Sequence, residues 1–258
     1  MKLATWNVNS VRARATHVAR WLPAHTPDVL MLQEIKTEAA GFPAAEFSAL
    51  GYSAAVVGQK TYNGVAALCR GPFTTRLTEL PGAADSPDQA RYIEIETAGL
   101  VVAGLYLPNG NSGGDAGFAY KLRFLDRLID HARTLIDAEI PFALIGDFNV
   151  CPADQDYAPG TLAATDALLR PEVRSRFQAL LWLGLTDAVR ALQPTGPAYT
   201  FWDYQAGCWP RDKGLRIDHI LLSPALAERL TACVRDRDER GRDQPSDHIP
   251  VTATLSER

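Results

Sequence analysis

The 258-residue sequence predicts an α/β fold built on mixed sheets within one domain, residues 1–258. Two patterns carry that prediction. Strand-length apolar runs alternate with helix-period segments along the whole chain. Several neighbouring runs, such as 91–97 and 100–107, lie too close to enclose a crossover helix and must pair as hairpins. No linker, low-complexity run or solenoid-length repeat divides the chain, and its length suffices for a core without disulfides or a structural metal.

The first strand is predicted near 2–8, followed by a helix near 10–22 and a strand near 28–34 through Leu30, Met31 and Leu32. A short helix near 43–50 has Pro43 in its first turn and Gly51 after its last. Strands follow near 52–58, 64–70, 91–97 and 100–107. The longest helix is predicted near 117–137, where Phe118, Leu122, Leu125, Leu128, Ile129, Ala132 and Ile136 recur at helical spacing. A strand near 141–147 comes next, then a helix near 171–183 opened by Pro171 and closed by Gly184. Strands near 199–203, 216–222, 231–236 and 249–255 complete the chain, with a helix near 224–230. The stretches 81–88, 109–117 and 235–244 read as surface loops.

An apolar fraction of 47% and a charged fraction of 22% are ordinary for a globular protein, and no run approaches the length of a membrane span. Met1–Asn7 already reads as a strand and leaves no room for a leader, so a cytoplasmic protein is expected. Cys69, Cys151, Cys208 and Cys233 lack metal-ligand spacing and read as free thiols in a reducing compartment. A net charge of −4 argues against nucleic acid as a partner. Small basic clusters at Arg12/Arg14, Arg174/Arg176 and Arg211/Lys213/Arg216 nevertheless leave room for a local basic rim.

Apolar strands that end in carboxylates or amides are the main chemical clue. Leu32 runs into Gln33-Glu34, Leu107 into Pro108-Asn109, and Ile145 into Gly146-Asp147-Phe148-Asn149. Asn7 ends the first strand, Asp218 lies in a late one, and Asp247-His248 precedes the last. Each alone reads as a turn former, a cap or a structural histidine. Together they form a phosphodiesterase set. A hard Mg²⁺ ion takes oxygen ligands, which Glu34 and Asp247 supply with Asn7 as an amide ligand or orienter. Asp147 suits water activation, Asn149 donation to a phosphate oxygen, and His248 oriented by Asp218 the stabilisation of developing charge. Ser246-Asp247-His248 is too tightly spaced for adjacent side chains to share one strand face, so the backbone is irregular there or the two serve different partners. No nucleophile elbow, Walker loop or dinucleotide fingerprint competes.

These residues, in this order, resemble the exonuclease III family of abasic-site endonucleases within the exonuclease/endonuclease/phosphatase superfamily. Leu32-Gln33-Glu34, Gly146-Asp147-Phe148-Asn149 and Ser246-Asp247-His248 carry the superfamily likeness. Asn9-Ser10-Val11-Arg12-Ala13-Arg14, Thr200-Phe201-Trp202-Asp203-Tyr204 and Gly214-Leu215-Arg216-Ile217-Asp218 narrow it. The resemblance spans nearly the whole chain. It implies a four-layer α/β sandwich, two mixed β-sheets packed face to face with helices outside, as in DNase I-like folds. It implies a nucleoid-associated, monomeric DNA-repair hydrolase that uses Mg²⁺, with Mn²⁺ able to substitute. Such an enzyme cuts double-stranded DNA 5′ to abasic sites, leaving a 3′-hydroxyl and a 5′-deoxyribose phosphate, and trims 3′ ends.

By the same resemblance the catalytic residues are Tyr106, Asp147, Asn149, Asp218 and His248. The metal site draws on Asn7, Glu34, Asp147, Asn149, Asp247 and His248. Substrate contacts are expected from Asn9, Lys36, Arg91 and Asn109, and an apolar sugar pocket from Phe201, Leu215 and Trp202. Read from their positions alone, Arg12, Arg14, Lys36, Arg91 and Arg216 are equally solvated or structurally paired side chains and candidate phosphate contacts. Ser10 replaces a more usual Gly, and the loop 205–213 is the chain's own. The rival reading is a metal phosphoesterase of the same fold acting on RNA, an inositol phosphate or a lipid head group. The Phe201–Asp203 and Gly214–Asp218 segments favour DNA over it.

Overall fold

The computed structural model describes residues 1–82 and 89–257. The loop expected at 81–88 therefore lies largely outside the described residues. In chain order the elements are β1 (Lys2–Asn7), α1 (Val11–His25), β2 (Val29–Gln33), α2 (Ala44–Ser48), β3 (Ser53–Val57), β4 (Val65–Cys69), β5 (Thr74–Leu77), β6 (Tyr92–Thr97) and β7 (Leu100–Tyr106). They continue with α3 (Gly114–Asp137), β8 (Phe142–Asp147), α4 (Pro171–Trp182), β9 (Thr186–Asp187), α5 (Ala188–Leu192), β10 (Asp218–Leu222), α6 (Pro224–Ala227), β11 (Leu230–Arg235) and β12 (Val251–Leu255).

Two six-stranded sheets result, ordered β11-β12-β1-β2-β4-β3 and β5-β6-β7-β8-β10-β9. Each is mixed, with one parallel pair at its centre: β1 with β2, crossed over by α1, and β7 with β8, crossed over by α3. The remaining pairs are antiparallel, including the hairpin β6–β7. Alternation along each strand sends one set of side chains into the seam between the sheets and the other toward the helices. Leu3, Met31, Ala67, Val102, Ile145 and Ile220 fill the seam. Trp6, Leu30 and Leu32 pack on α1 and α2, while Val101, Leu105 and Leu144 pack on α3 and α4. This is the four-layer sandwich.

Several boundaries differ from the sequence reading. No strand forms over 199–203; Phe201 makes isolated bridges to Leu215 and His248, because the segment crosses the end of the seam rather than a sheet edge. β10 begins at Asp218, not 216, because Arg216 is drawn into a buried ion-pair network. α3 starts at Gly114, three residues earlier than expected, and takes up part of the 109–117 loop. The 235–244 stretch is not wholly surface loop: a 3₁₀ turn at Arg237–Gly241 buries Glu239 and Arg240. The short strands β5 and β9 and the helix α5 carry too little periodicity to read from sequence.

Candidate active site

Strand parity decides which side chains crown the seam. Leu3 faces inward on β1, so Asn7 does too. The same count places Tyr106 beyond Val102, Asp147 beyond Ala143 and Ile145, and Asp218 ahead of Ile220 and Leu222. Strand register then brings Tyr106 opposite Asp147 and Asp147 opposite Asp218. Glu34 is out of phase, but the strand stops at Gln33 and Glu34 adopts φ 50°, which turns its carboxylate toward Asn7. Gly146 holds φ 151°, and a Cβ there would strike the Leu105 carbonyl, so only glycine admits Asp147 at this height.

Asn7 bridges the two sheets, its Nδ2 donating to Glu34 Oε1 at 2.9 Å and to Asp147 Oδ2 at 3.0 Å. The backbone N–H of Asn149 donates to Asp147 Oδ1 at 2.9 Å. His248 Nδ1 lies 2.9 Å from Asp218 Oδ2, which also accepts from the Thr200 hydroxyl at 2.6 Å. His248 Nε2 sits 3.8 Å from Asp147 Oδ2. The two neighbours Asp247 and His248 do serve different partners: Asp247 Oδ1 accepts from Asn9 Nδ2 at 3.2 Å while His248 turns to Asp218. Ser246 anchors the segment through a 2.7 Å bond from its hydroxyl to the Asn7 carbonyl.

The electrostatics separate the carboxylates. Burial pushes Asp147 well above the usual carboxylate range, with Asp218 and Glu34 adding to the shift against the pull of His248. Burial opposes charge on His248 as well, but Asp218 beside it, then Asp147 and Asp247, raise the imidazole to about 10. Glu34 resists its own burial because the Asn7 amide and the Lys36 ammonium hold it below its ordinary value. Burial, with Glu34 and Asp147 nearby, drives the Tyr106 phenol far up, so it stays protonated and can donate.

Glu34, Asp147 and His248 offer ligand atoms within 4.8 Å of one another. Two carboxylates tied by one amide suit a hard divalent cation that takes oxygen donors. His248 is less suited to that role, since a hard cation prefers oxygen donors and its Nδ1 is engaged by Asp218. The surrounding cleft, about 230 Å³, has polar walls from Tyr106, Asn109, Asn149 and Asp247 and an apolar wall from Leu162, Leu168, Phe201, Leu215 and Ile217. The Phe201 ring meets the His248 ring edge-on at 4.9 Å.

Lys36 lies at the rim, 2.9 Å from Glu34 Oε2 and bonded to Asn9 Oδ1, and the Arg91 guanidinium stacks over Tyr106 at 4.7 Å. Arg14 spans Asn9 O, Tyr204 Oη and Pro245 O at the cleft's shoulder, while exposed Arg12 reaches Gly41 O. One expectation is corrected and one open choice is decided. Trp202 is fully buried with Tyr199 and Ile249, its Nε1 donating to Asp212 at 3.0 Å, so it faces away from the cleft. Arg216 is an interior residue, pairing with Asp156 and Asp187 at 2.6 Å each, and has no access to a phosphate.

Sequence reasoning missed Leu162, Leu168, Thr200 and Lys121. Leu162 and Leu168 read as ordinary loop residues, and Thr200 entered only within the Thr200–Tyr204 stretch, without a sign of its bond to Asp218. Lys121 does carry a signal: with Leu125, Leu128, Ala132 and Leu135 it occupies the buried stripe of α3, where a lone charge stands out.

A model of the endonuclease/exonuclease/phosphatase family matches residues 4–248. The chain belongs to that family. It is 33% identical over 266 residues to exodeoxyribonuclease III of Haemophilus influenzae, covering 98% of this chain and 99% of that one. Among solved structures it is similar to a 3′ phosphatase from Neisseria bound to a product DNA hairpin, at 39% identity, TM-score 0.94 and full coverage of both chains. An AP endonuclease from Archaeoglobus fulgidus aligns at 33% identity and TM-score 0.92, again over both whole chains. Membership in this family accounts for a carboxylate-rich cleft at one end of a two-sheet seam. Among the described residues no helix is long and apolar enough to cross a membrane.

Proposed function

We propose that the chain is a divalent-metal-dependent DNA repair nuclease of the exonuclease III type, acting as a single-domain cytoplasmic monomer. It hydrolyses the phosphodiester 5′ to an abasic site, leaving a 3′-hydroxyl and a 5′-deoxyribose phosphate, and removes nucleotides or blocking groups from 3′ ends of duplex DNA. The observation that carries this reading is the meeting of Glu34, Asp147 and the Asp218–His248 pair at one end of the seam, in a chain similar along its full length to DNA-processing enzymes.

Glu34 and Asp147, oriented by the Asn7 amide, would hold a divalent cation, Mg²⁺ by nature with Mn²⁺ as a substitute, which would supply positive charge to the phosphate oxygens. Asp147 takes the proton of the attacking water; its raised pKa makes it a stronger base than an ordinary carboxylate. As the new P–O bond forms and the bond to O3′ breaks, protonated His248 and Tyr106 donate toward the phosphate oxygens. Asn149 holds φ 48°, and its amide is set by Leu107 O at 2.9 Å and by Asn109 Nδ2 at 3.0 Å. Phe201, Leu215, Leu162 and Leu168 offer the base-less or terminal sugar an apolar wall.

The test is a set of labelled duplexes, one with an abasic site, one intact and one ending in a 3′-phosphate, each with Mg²⁺ and with EDTA. Metal-dependent incision 5′ to the lesion or removal of the 3′ group supports the reading. Hydrolysis of bis-p-nitrophenyl phosphate with all three duplexes untouched would keep the metal site and discard DNA.

A further inference from the structure

We propose that Lys121 is a positioning residue of the active site, its buried ammonium tying the loop that carries Asn109 to the loop that carries Asn149. The inference rests on the function proposed above. Lys121 projects from the third turn of α3 and is fully buried. Its Nζ donates to the Asn109 carbonyl at 2.8 Å and to the Asn149 carbonyl at 2.6 Å. Those two residues are themselves joined, Asn109 Nδ2 to Asn149 Oδ1 at 3.0 Å, and both line the cleft. The ammonium thus closes a ring behind the amides that face the substrate phosphate.

Three features show that this placement is specific. Among the described residues no carboxylate hydrogen-bonds to Lys121: its Nζ partners are two carbonyls, burial pushes the ammonium down to about 7 against the pull of Asp147 and Asp166, and leucine or methionine on the same stripe would avoid that desolvation cost. Gly110 makes room for it: φ is 86°, and a Cβ there would lie 2.6 Å from Lys121 Cδ. Asn149 sits in the left-handed region, which a non-glycine residue keeps only where its surroundings over-determine it. The bond from Lys121 is one of those constraints, alongside the Asn149 N–H bond to Asp147.

The test compares K121M, N149A and the double variant in single-turnover cleavage of duplex DNA at saturating Mg²⁺, with DNA affinity measured separately. K121M is expected to melt cooperatively, to slow cleavage by at least about ten-fold and to keep DNA affinity within about two-fold, as a residue acting on transition-state geometry does. The double variant should be no slower than N149A by more than about two-fold, because the lysine acts through that amide. Independently of activity, the side-chain amide resonances of Asn109 and Asn149 should move in K121M. A wild-type rate in K121M, or losses that multiply in the double variant, overturns the proposal. If K121M does not fold, K121Q carries the same comparison. If the wild-type enzyme leaves DNA untouched, the functional reading fails instead, and the amide resonances decide: unmoved, they overturn the positioning role.

Discussion

Replacing Asp218 with asparagine tests the electrostatic logic of the site most directly. In the native arrangement Asp218 is fully buried and 2.9 Å from His248 Nδ1, and it is the chief reason the imidazole is raised to about 10 against its burial. Asp218→Asn keeps the shape and removes the charge. His248 then retains its desolvation and loses its main support, so its pKa falls toward or below the ordinary 6.5. At about pH 8 a native imidazole is some 99% protonated, whereas one titrating at 6.5 is roughly 3% protonated, a loss of about 30-fold in the active form. The sign for stability follows from the raised native pKa. Ionised His248 contributes stability that is full below 6.5 and is lost as pH rises through about 10, and Asp218→Asn removes most of that contribution. The assay is single-turnover cleavage from about pH 5.5 to 9.5 at saturating Mg²⁺, with urea melts at the same pH values. The variant's alkaline limb should shift down by several pH units, with activity partly recovered in acid. An unmoved limb, with rates within about two-fold of native at pH 8, would refute the role given to this pair.

Asp147→Asn should lower the cleavage rate by about 10²–10⁴ while leaving DNA binding nearly intact, since it removes the base. The same change should raise the melting temperature of the metal-free protein above neutral pH by a few degrees, at about 2–4 °C per kcal/mol, because a carboxylate pushed above its usual pKa costs stability once ionised. Chelation by EDTA should abolish cleavage, Mg²⁺ or Mn²⁺ should restore it, and thermal shift by Mg²⁺ should be larger in wild type than in Glu34→Gln. Arg216→Met should leave Asp156 and Asp187 buried without their shared cation and cost about 3–5 kcal/mol in urea unfolding, with no specific change in DNA affinity. A selective loss of DNA affinity would instead return Arg216 to the surface role that the sequence left open.

Much of the site was legible because strand ends and side-chain parity are sequence properties. Asn7, Tyr106, Asp147 and Asp218 share the inward phase of their strands, so reading the strands correctly placed all four on the seam. Glu34 breaks that phase and Asn149 lies past the end of its strand; both are set by left-handed backbone, which apolar periodicity does not encode. Both were picked out by the run of carboxylates and amides at strand ends, whereas Tyr106 entered only through the family resemblance. Trp202 was misplaced, and the choice for Arg216 stayed open, for one shared reason. An aromatic or an arginine near a strand end is compatible with either a binding role or a buried one, and long-range partners decide. For Trp202 that partner is Asp212; for Arg216 the partners are Asp156 and Asp187, sixty and twenty-nine positions away.

The net charge misled in an instructive way. A tally of −4 treats every ionisable group as though DNA could feel it. Among the described residues six carboxylates are buried, Glu94, Asp147, Asp156, Asp187, Asp218 and Glu239, against three buried cations, Lys121, Arg216 and Arg240. By formal charge, with histidine neutral, these buried residues carry an excess of three negative charges. Asp156 and Asp187 are neutralised by Arg216, with Arg190 also on Asp156, and are silent toward any ligand. Asp147 and Asp218 crowd the end of the seam with Glu34, where a divalent cation and a phosphate can meet them. The charge that appeared to exclude a polyanionic substrate is thus largely structural or gathered where a metal-dependent phosphodiesterase needs it. Lys36, Arg91 and Arg14 stand beside the cleft, where a phosphodiester backbone would approach.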